Sequence, residues 1–460
     1  MSSLLTFIKS TLLSRWQSRA TSSGTEEGKQ YEASLLVDPL AGQSPPWPLF
    51  TLSAYYGVGT PPPPQRALLD SLAYLLSACL GVAARLDIAG VLGRNGGGMS
   101  AVQIGEAVGC RDATSIARVL RTLENYGYFE SYSPPTRGDA AAESALEARL
   151  WRNNAVSAVL RAEHPKSVRG MVIHQAVDVA PAAHLLYDSM TEAKRADLKP
   201  SEVDTEVGAD FQDTPSAFER LHGHDAWSYF AEHPDRWDNF HVAMRNVDSV
   251  AVQALLDDID WGRYLRIVDI GGANGTMCER IMERHAVRAV IFDLPSVIEH
   301  TRNYWNEKPE RAEAVSGGRV SFAAGDFLRG VGLPPAAPGD VYLMRNIWHD
   351  WRTKECVKIG RSIRAAIGDT RNAQLMILES SCDMAPRGAP LEKGRTMTDE
   401  VMHVIFRSRE RSKEEMAALM EQCGFRLVRV QTTRSLLVAF IGEPVYGKGG
   451  DRTAKKVGDS

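Results

Sequence analysis

One histidine between two tryptophans is a candidate for acid–base chemistry in this 460-residue chain. His349 stands in the run Trp348-His-Asp-Trp351, which follows an apolar segment, Asp340–Asn346, that predicts a β-strand. Open α/β sheets place their ligands at the ends of such strands. A lone histidine is usually structural, but this one is predicted to lie at the mouth of a cleft, where an imidazole can take a proton from a bound molecule.

A glycine-rich turn after a buried strand is the second chemical signal. Leu265–Ile270 is a short, branched apolar run, and Gly271, Gly272 and Gly275 follow it before a predicted helix. Glycine lets the backbone touch a ligand that any Cβ would push away, so this turn predicts a nucleotide cradle. The glycines lack the spacing of the dinucleotide fingerprint, and Asp269 would repel a phosphate but tolerate a cationic amino-acid group. The pattern therefore favours an adenosine-bearing cofactor without a pyrophosphate.

Two further strand ends carry side chains that suit adenosine. Asp293 closes the next predicted strand, at the offset of roughly 20 residues from the turn where an acid binds ribose hydroxyls. Asp326 and Phe327 follow the third strand. The carboxylate of Asp326 can accept a hydrogen bond from an adenine amino group, and the ring of Phe327 can cover the base.

These residues are predicted to lie on a mainly parallel, doubly wound sheet of seven strands with helices in most of the gaps. The candidate strands are Leu265–Ile270, Ala289–Leu294, Arg319–Ala323, Asp340–Asn346, Gln374–Glu379, Phe425–Gln431 and Leu436–Ile441. The connection between the last two, Thr432–Ser435, is too short for a crossover helix, so we expect an antiparallel hairpin at the end of the sheet. This arrangement differs from that of the dehydrogenases.

Composition along the chain predicts four segments. They are a flexible N-terminal extension at residues 1–64, a helical domain at 65–225, the sheet domain at 226–445 and a disordered tail at 446–460.

The helical domain carries two features that suggest packing against another surface. A helix at Leu68–Leu80 repeats leucine at helical spacing and is apolar on most sides, which predicts burial. The stretch Ser100–Leu123, followed by Tyr126-Gly-Tyr-Phe129, predicts a winged helix. Its second helix offers Arg118 and Arg121 beside acidic residues, so no basic stripe for DNA stands out. We expect a packing or dimerisation module.

Charge and composition argue against several kinds of partner. The net charge of −4 gives no case for nucleic acid or an anionic membrane, and no apolar run approaches the ~18 uncharged residues of a membrane span. Six cysteines without a Cys-x-x-Cys pair, and His222, His224 and His233 without a ligand pattern, predict no metal site. We expect a cytoplasmic protein, with a mitochondrial transit peptide before residue 25 as the alternative to an amphipathic first helix.

Five ordered motifs resemble the S-adenosylmethionine-dependent O-methyltransferases of the plant caffeate type and their fungal relatives in secondary metabolism. The motifs are Asp269–Gly275, Phe292–Pro295, Gly325–Phe327, Arg345–Trp351, and Arg409–Ser412 with Cys423–Phe425. The resemblance spans about residues 65–442. It implies a seven-stranded, Rossmann-like methyltransferase domain, a helical domain that mediates homodimerisation, S-adenosylmethionine as cofactor, and methyl transfer to a hydroxyl of a small aromatic metabolite.

By that resemblance, His349 is the general base, and Glu379 and Glu410 are the two acids that flank it. A phenol with a pKa near 10 is poorly matched to an imidazole with a pKa near 6.5. Carboxylates beside the imidazole favour its cation, which shrinks that gap, and they hold one tautomer.

The resemblance also implies cofactor and substrate contacts. Arg345 occupies a position usually held by lysine, and His241 and the pair Ala273-Asn274 also depart from the plant pattern. The implied cofactor-binding residues are Gly271, Gly272, Asp293, Asp326, Phe327 and Arg345. The candidate acceptor pocket is Phe240, Met244, Trp348, Met397, Met402 and Phe406.

Two other functions stay open at the level of sequence. A winged helix joined to a cofactor-sensing methyltransferase-like domain would make a regulator. A nicotinamide-dependent oxidoreductase is the second alternative, disfavoured by the glycine spacing and the terminal hairpin.

Overall fold

The computed structural model describes residues 63–132, 149–192, 214–384 and 390–446. Most of the predicted N-terminal extension, including its transit-peptide-like start, and the predicted tail after residue 446 lie outside these ranges. The described residues from Ala67 onward form one compact unit, and the elements discussed below from the second helix onward belong to it.

A winged helix follows the first helices, as the sequence predicts. Three short strands, β1 (Met99–Ser100), β2 (Glu130–Tyr132) and β3 (Leu150–Arg152), form an antiparallel sheet in the order β1-β3-β2. The Ser100 hydroxyl accepts a hydrogen bond from the Gln103 amide in a reciprocal capping box that begins the fourth helix. Helices α1 to α5 are Pro63–Asp70, Ala73–Arg85, Ile88–Asn95, Ala101–Val108 and Ala113–Asn125.

In the described parts of the chain, seven helices lie between the winged helix and the large sheet. A π-helical turn, Gln175–Val179, joins α7 (Arg169–His174) to α8 (Ala180–Ala183), and the 25-residue helix α12 (Pro234–Asp258) packs against α7. Asp225 begins α11 by accepting hydrogen bonds from the amides of Trp227 and Ser228. Helices α6 to α12 are Ala155–Ala158, Arg169–His174, Ala180–Ala183, Leu186–Glu192, Ala217–His222, Ala226–Glu232 and Pro234–Asp258.

The predicted seven-stranded sheet is present. Its strands lie in the order β6-β5-β4-β7-β8-β10-β9, parallel except for β10, which is antiparallel to both β8 and β9. The last two strands form the hairpin expected from their short connection. Strands β4 to β10 are Arg266–Ile270, Arg288–Asp293, Val320–Ala324, Asp340–Arg345, Gln374–Glu379, Phe425–Thr432 and Val438–Pro444.

Both faces of this sheet are buried. Ile267 and Val341 belong to one apolar cluster, whereas their chain neighbours Val268 and Tyr342 belong to a second cluster on the opposite face. Double burial explains why the central strands are continuous apolar runs rather than alternating ones. Helices α13 to α18, which supply most of the cover, are Thr276–Met282, Pro295–Asn306, Pro309–Ser316, Thr353–Ile367, Pro390–Phe406 and Lys413–Gln422.

The apolar stretch at Arg66–Arg85 is more hydrophobic than the sequence analysis predicted. Among the described residues, Arg66–Arg85 is long and apolar enough, by length and composition alone, to cross a membrane, with a mean hydropathy of 1.8 and 17% of it buried. The count of uncharged residues missed it because Asp70 interrupts the run without removing its apolar character. The burial predicted for Leu68–Leu80 is also incomplete, since Leu72 and Leu75 are 45% and 46% exposed.

The predicted domain boundary at residues 225–226 stays a prediction. Residues on both of its sides contribute to one apolar cluster, which contains Val179 and Phe218 from before the boundary and Phe230, Val404 and Ile405 from after it. Helix α17, which carries the last two, packs against α10 and against the π-helical turn.

Candidate active site

His349 lies in a tight turn at the end of β7. Strand β7 ends at Arg345, Asn346 adopts a left-handed backbone conformation (φ 54°), and a 3₁₀ turn then spans Trp348–Asp350. Asparagine tolerates this conformation better than other non-glycine residues. The reversal places His349, which is buried, at the end of the strand that the sequence predicted to border the cleft.

Glu410 holds the imidazole of His349. The ring nitrogen Nδ1 lies 2.9 Å from Glu410 Oε1, and both residues are buried. Glu410 is fixed in turn because its backbone amide donates a 2.7 Å hydrogen bond to Asp399 Oδ1 on helix α17. The structure therefore brings together the predicted base, His349, and one of its two predicted acids, Glu410. The contact with Glu410 occupies Nδ1, and Nε2 lies on the other side of the ring.

Glu379 and Asp350 complete the group of carboxylates. Glu379 is fully buried at the end of β8, and its Oε1 accepts a 3.1 Å hydrogen bond from the backbone amide of His349 rather than from the ring. Asp350 Oδ1 lies 3.5 Å from Nε2 of His349. Sequence reasoning missed Asp350, although its position next to His349 was a signal.

The carboxylates set the proton affinity of the site. Burial alone would lower the pKa of His349, but the negative charges of Glu410, Asp350 and Glu379 raise it to about 10. Burial raises the pKa of Asp350 to about 7 and also raises the pKa of Glu379. An imidazole with a pKa near 10 matches a phenol, whose ordinary pKa is about 10.

The turn that carries His349 is clamped by Arg411. This buried guanidinium donates hydrogen bonds of 2.9 Å to the carbonyl oxygens of Trp348 and Trp351, one on each side of the base. Because Arg411 follows Glu410 directly in the chain, one short segment both orients the imidazole and holds its backbone.

The glycine turn after β4 has the backbone geometry that a bound nucleoside requires. Gly271 has a positive φ of 72°, and a Cβ added there would lie 2.7 Å from Ile347 Cδ1. The amides of Gly271 and Gly272 donate hydrogen bonds of 2.8 and 3.2 Å to the carbonyl oxygen of Phe292 at the end of β5. The turn is thus fixed against the neighbouring strand, and it packs too closely on Ile347 and Asp269 to accept a side chain at Gly271 or Gly272.

The other predicted cofactor residues surround this turn. Asp293 accepts hydrogen bonds from the amides of Ala273 (2.9 Å) and Leu294 (2.7 Å), and burial raises its pKa. Asp326 accepts one from the Leu328 amide at 2.8 Å. The ring of Phe327 meets Trp351 edge to face at 6.1 Å, which links this side of the cradle to the His349 turn.

These features fit an adenosine-bearing cofactor. Asp293 and Asp326 present carboxylates at the ends of the adjacent strands β5 and β6, and the glycine turn follows β4 on the other side of β5. Arg345, partly buried at the end of β7, supplies a cationic side chain at the same edge. The assignment of each group to ribose, adenine or the amino-acid moiety stays a prediction.

The predicted acceptor pocket is brought together only in part. Phe406 stacks on Trp227 with centroids 5.4 Å apart, and Trp227 meets Phe240 edge to face at 5.9 Å. Trp227 was not among the predicted pocket residues, although it stands in the same aromatic-rich segment. Of the three methionines, Met402 is buried, Met244 is half-buried and Met397 is 63% exposed.

Trp348 does not belong to this group. Its side chain is fully buried in the core under helix α16, in a cluster with Cys356 and Ile359, and its indole N–H donates to Met344 Sδ at 3.2 Å. Full burial in this cluster separates Trp348 from the aromatic group around Trp227, and its assignment to the acceptor pocket stays a prediction. Trp348 anchors the turn, and His349 is left to face the carboxylates.

Within the described ranges, no group of three or more histidine, cysteine, aspartate or glutamate side chains is arranged to hold a metal ion.

Comparison with known proteins identifies the family. The O-methyltransferase dimerisation domain matches residues 70–163, and the O-methyltransferase domain matches residues 205–426. Tabersonine 16-O-methyltransferase from Catharanthus roseus is 26% identical over 81% of this chain and 95% of its own length. O-methyltransferase SfmM3 from Streptomyces lavendulae is 28% identical over 79% of this chain and 95% of its own.

Solved structures agree at the level of the fold. Human N-acetylserotonin methyltransferase, solved in complex with SAM, has a TM-score of 0.63 at 19% identity and covers 84% of this chain and 99% of its own. The nucleoside cradle, the acid-flanked histidine and both matched domains lead to one conclusion: the chain belongs to the S-adenosylmethionine-dependent O-methyltransferases of the secondary-metabolite type.

Proposed function

We propose that this enzyme methylates a phenolic hydroxyl of a small aromatic metabolite, with His349 as general base. The observation that carries the proposal is the contact of 2.9 Å between His349 Nδ1 and Glu410 Oε1. It leaves Nε2 as the ring nitrogen that can meet the acceptor hydroxyl. Relatives named for O-methylation of tabersonine and of phenazine are consistent with an aromatic acceptor.

The chain's own residues would act on the proton. The acceptor hydroxyl would donate a hydrogen bond to Nε2 of His349, and the proton would move to that nitrogen as the phenolate forms. Glu410 stabilises the resulting imidazolium through Nδ1, while Glu379 keeps the backbone of the turn in place. S-adenosylmethionine, when bound in the glycine cradle, supplies the electrophilic methyl group.

Burial of the carboxylates supports this role. The second oxygens of Glu379 and Glu410, both Oε2, are buried without a hydrogen-bond partner among the described residues. Unpaired buried carboxylate oxygens lower the energy of a nearby cation, because little water is present to screen the charge. The site is therefore prepared for an imidazolium that exists while the phenolate is formed.

A direct assay tests the proposal. The purified chain is incubated with methyl-labelled S-adenosylmethionine and pairs of aromatic compounds that differ by one phenolic hydroxyl. We expect label in a methyl ether of the hydroxylated member and none in its deoxy partner. Label on nitrogen or carbon, or no transfer to any member of a broad panel, would contradict the proposal. Titration with NAD in place of the methyl donor tests the oxidoreductase alternative.

We further propose that the enzyme is a homodimer whose interface includes the apolar stretch at Leu68–Leu80. The dimerisation-domain match covers nearly all of this stretch. Leu72, Tyr74 and Leu75 are large apolar side chains that are roughly half exposed in the single chain. Isolated exposed leucines are common, but a run of them along one helix is typical of an interaction surface.

Sedimentation tests the dimer. The wild-type chain is expected to sediment as a dimer, and the variant Leu75→Lys as a monomer at micromolar concentration. Val102→Lys places the same charge at an apolar position of helix α4 that is comparably exposed, and this control is expected to remain dimeric. A monomeric wild-type chain, or one that instead partitions into lipid vesicles, would contradict the proposal.

A further inference from the structure

A second buried histidine–carboxylate pair lies in the helical part of the chain. Nδ1 of His174 is 3.0 Å from Oδ2 of Asp178, and both side chains are buried. Asp178 belongs to the π-helical turn Gln175–Val179, and such turns are frequent at functional sites. The reaction proposed for His349 uses neither residue, so this pair requires a separate explanation.

Arg236 extends the pair to a partly exposed cation. Its Nη1 lies 3.9 Å from Asp178 Oδ1, and its Nε lies 3.6 Å from the exposed carboxylate of Asp235. Both distances exceed a hydrogen bond. Oδ1 of Asp178 also has no hydrogen-bond partner among the described residues. The buried carboxylate of Asp178 thus positions the guanidinium of Arg236, which is 27% exposed. The N–H groups of this guanidinium remain able to donate hydrogen bonds to another group.

An aromatic ring lies on the same face of helix α12 as this cation. Phe240 follows Arg236 by one helical turn on α12, so the two side chains share a face of the helix. Phe240 is stacked on Phe230 at 5.0 Å, and the ring of His174 meets Phe240 at 5.5 Å in an edge-on contact. A flat ligand on this surface would place a substituent within reach of the guanidinium.

The same surface leads toward the catalytic turn. Helix α17 packs against both the π-helical turn and the turn Trp348–Asp350. At the end of α17, Phe406 stacks on Trp227, which contacts Phe240. The rings therefore connect the surroundings of Arg236 with the segment that begins just after α17 and carries Glu410.

We propose that Arg236, positioned by Asp178 and His174, binds a carboxylate of the acceptor, which makes the substrate class the aromatic hydroxy acids. The inference rests on the proposed phenol methylation. It adds a second point of contact, because the acceptor would be held by its carboxylate at Arg236 as well as by its hydroxyl at His349. A guanidinium has donors and no acceptor, and a carboxylate takes two of its N–H groups at once.

Matched acids and esters test the inference. Hydroxynaphthoic acids and their methyl esters share a ring and a reacting hydroxyl but differ in charge, and kcat/KM is measured for each member. The wild-type enzyme is expected to favour the acid by about ten- to hundredfold, as for hydrogen bonds to charged groups. In Arg236→Met the acid should lose this advantage through a higher KM, while turnover of the ester stays within about threefold. Arg236→Lys should retain part of the preference.

A matched control separates local from general charge effects. Arg245 is an exposed arginine on the same helix, and Arg245→Met is expected to keep the wild-type preference for the acid. Ester turnover shows that each variant is folded and active. Equal kcat/KM for acid and ester across the panel, or an unchanged preference in Arg236→Met, would overturn the inference and leave phenol methylation intact. Absence of transfer to acids and esters alike would overturn the proposed function itself.

Discussion

Two buried histidine–carboxylate pairs in this enzyme are alike in geometry and different in origin. His349 and Glu410 are 61 positions apart and meet because a strand end and a loop converge, at a distance of 2.9 Å. His174 and Asp178 are four positions apart and meet at 3.0 Å within one helical segment. Similar contacts therefore arise once from the topology of the sheet and once from local helical geometry.

The surroundings separate the two pairs chemically. Glu379 and Asp350 add two further carboxylates near His349, so negative charge exceeds positive charge there and the pKa of the imidazole rises to about 10. Near His174, the single carboxylate of Asp178 also faces the cation of Arg236. The excess of carboxylates makes the imidazole of His349 a stronger proton acceptor. The carboxylate of Asp178, placed between His174 and Arg236, instead holds the guanidinium of Arg236 in position. We therefore expect the first pair to control turnover and the second to control which acceptor is chosen.

Removal of the imidazole of His349 should have the largest effect on turnover. His349→Ala is expected to lower kcat by about 10²- to 10⁴-fold on every acceptor, because a positioned general base contributes about that much. Calorimetry should show nearly unchanged binding of S-adenosylmethionine, since the cradle is formed by Gly271 and its neighbours. His224→Ala removes an exposed histidine and should behave as wild type. If His349→Ala kept activity within tenfold of wild type, the pair His349–Glu410 would not control turnover, and it would no longer differ in this respect from the pair His174–Asp178.

The pH profile tests the excess of carboxylates at His349. The neutral imidazole is the active base, so kcat/KM of the wild type should rise with pH until the raised pKa, about 10, is passed. In Glu410→Gln the loss of a negative charge lowers that pKa. The rise should then end at a lower pH, with a plateau about ten- to hundredfold lower because a weaker base removes the proton. A profile that is flat above pH 7 in the wild type would contradict this account.

Arg411 offers a smaller test of the same turn. Its hydrogen bonds to the carbonyl oxygens of Trp348 and Trp351 hold the backbone on both sides of His349. Arg411→Met should lower kcat by about tenfold through a misplaced base, with the pH profile kept in shape and KM little changed. Arg411→Lys should recover part of the loss. An equal loss in KM and kcat for both variants would indicate a general structural role instead.

The sequence predicted the sheet side of the molecule better than the helical side. Glycine spacing, apolar runs and strand ends placed Gly271, Asp293 and His349 correctly on one edge, because parallel strands bring their carboxyl ends together. The resemblance added Glu410, whose position 61 residues after His349 no local pattern indicates. Trp348 was harder to place, because the sequence alone does not show that its indole packs in the core cluster with Cys356 and Ile359.

The helical side was harder because its contacts do not follow a single repeat. The spacing of His174 and Asp178 was available in the sequence, but four-residue spacings are common in helices and this one lies across a π-helical turn. Arg236 meets Asp178 only after two separate helices pack together. Trp227 was passed over for a related reason, since its partners Phe240 and Phe406 come from different helices.

The smallest effect on turnover is expected at the second pair, where the two carboxylates near Arg236 can be compared directly. Asp178 is buried and Asp235 is exposed, and both face the same guanidinium. Asp178→Asn should lower the free energy of unfolding by about 1.5–3 kcal/mol, as for a lost hydrogen bond to a charged group, whereas Asp235→Asn should change it by less than about 1 kcal/mol. Urea unfolding gives both values.

The same two variants should separate positioning from mere charge. With Asp178 neutral, Arg236 loses its buried partner and moves more freely, so the preference for hydroxy acids over their esters should fall by severalfold through KM while kcat on the esters is kept. Asp235→Asn removes one negative charge at a similar distance from Arg236, yet it should leave the preference unchanged because an exposed ion pair contributes little. If both variants shifted the preference equally, the buried pair would have no special part in holding Arg236, and burial would no longer distinguish the two carboxylates.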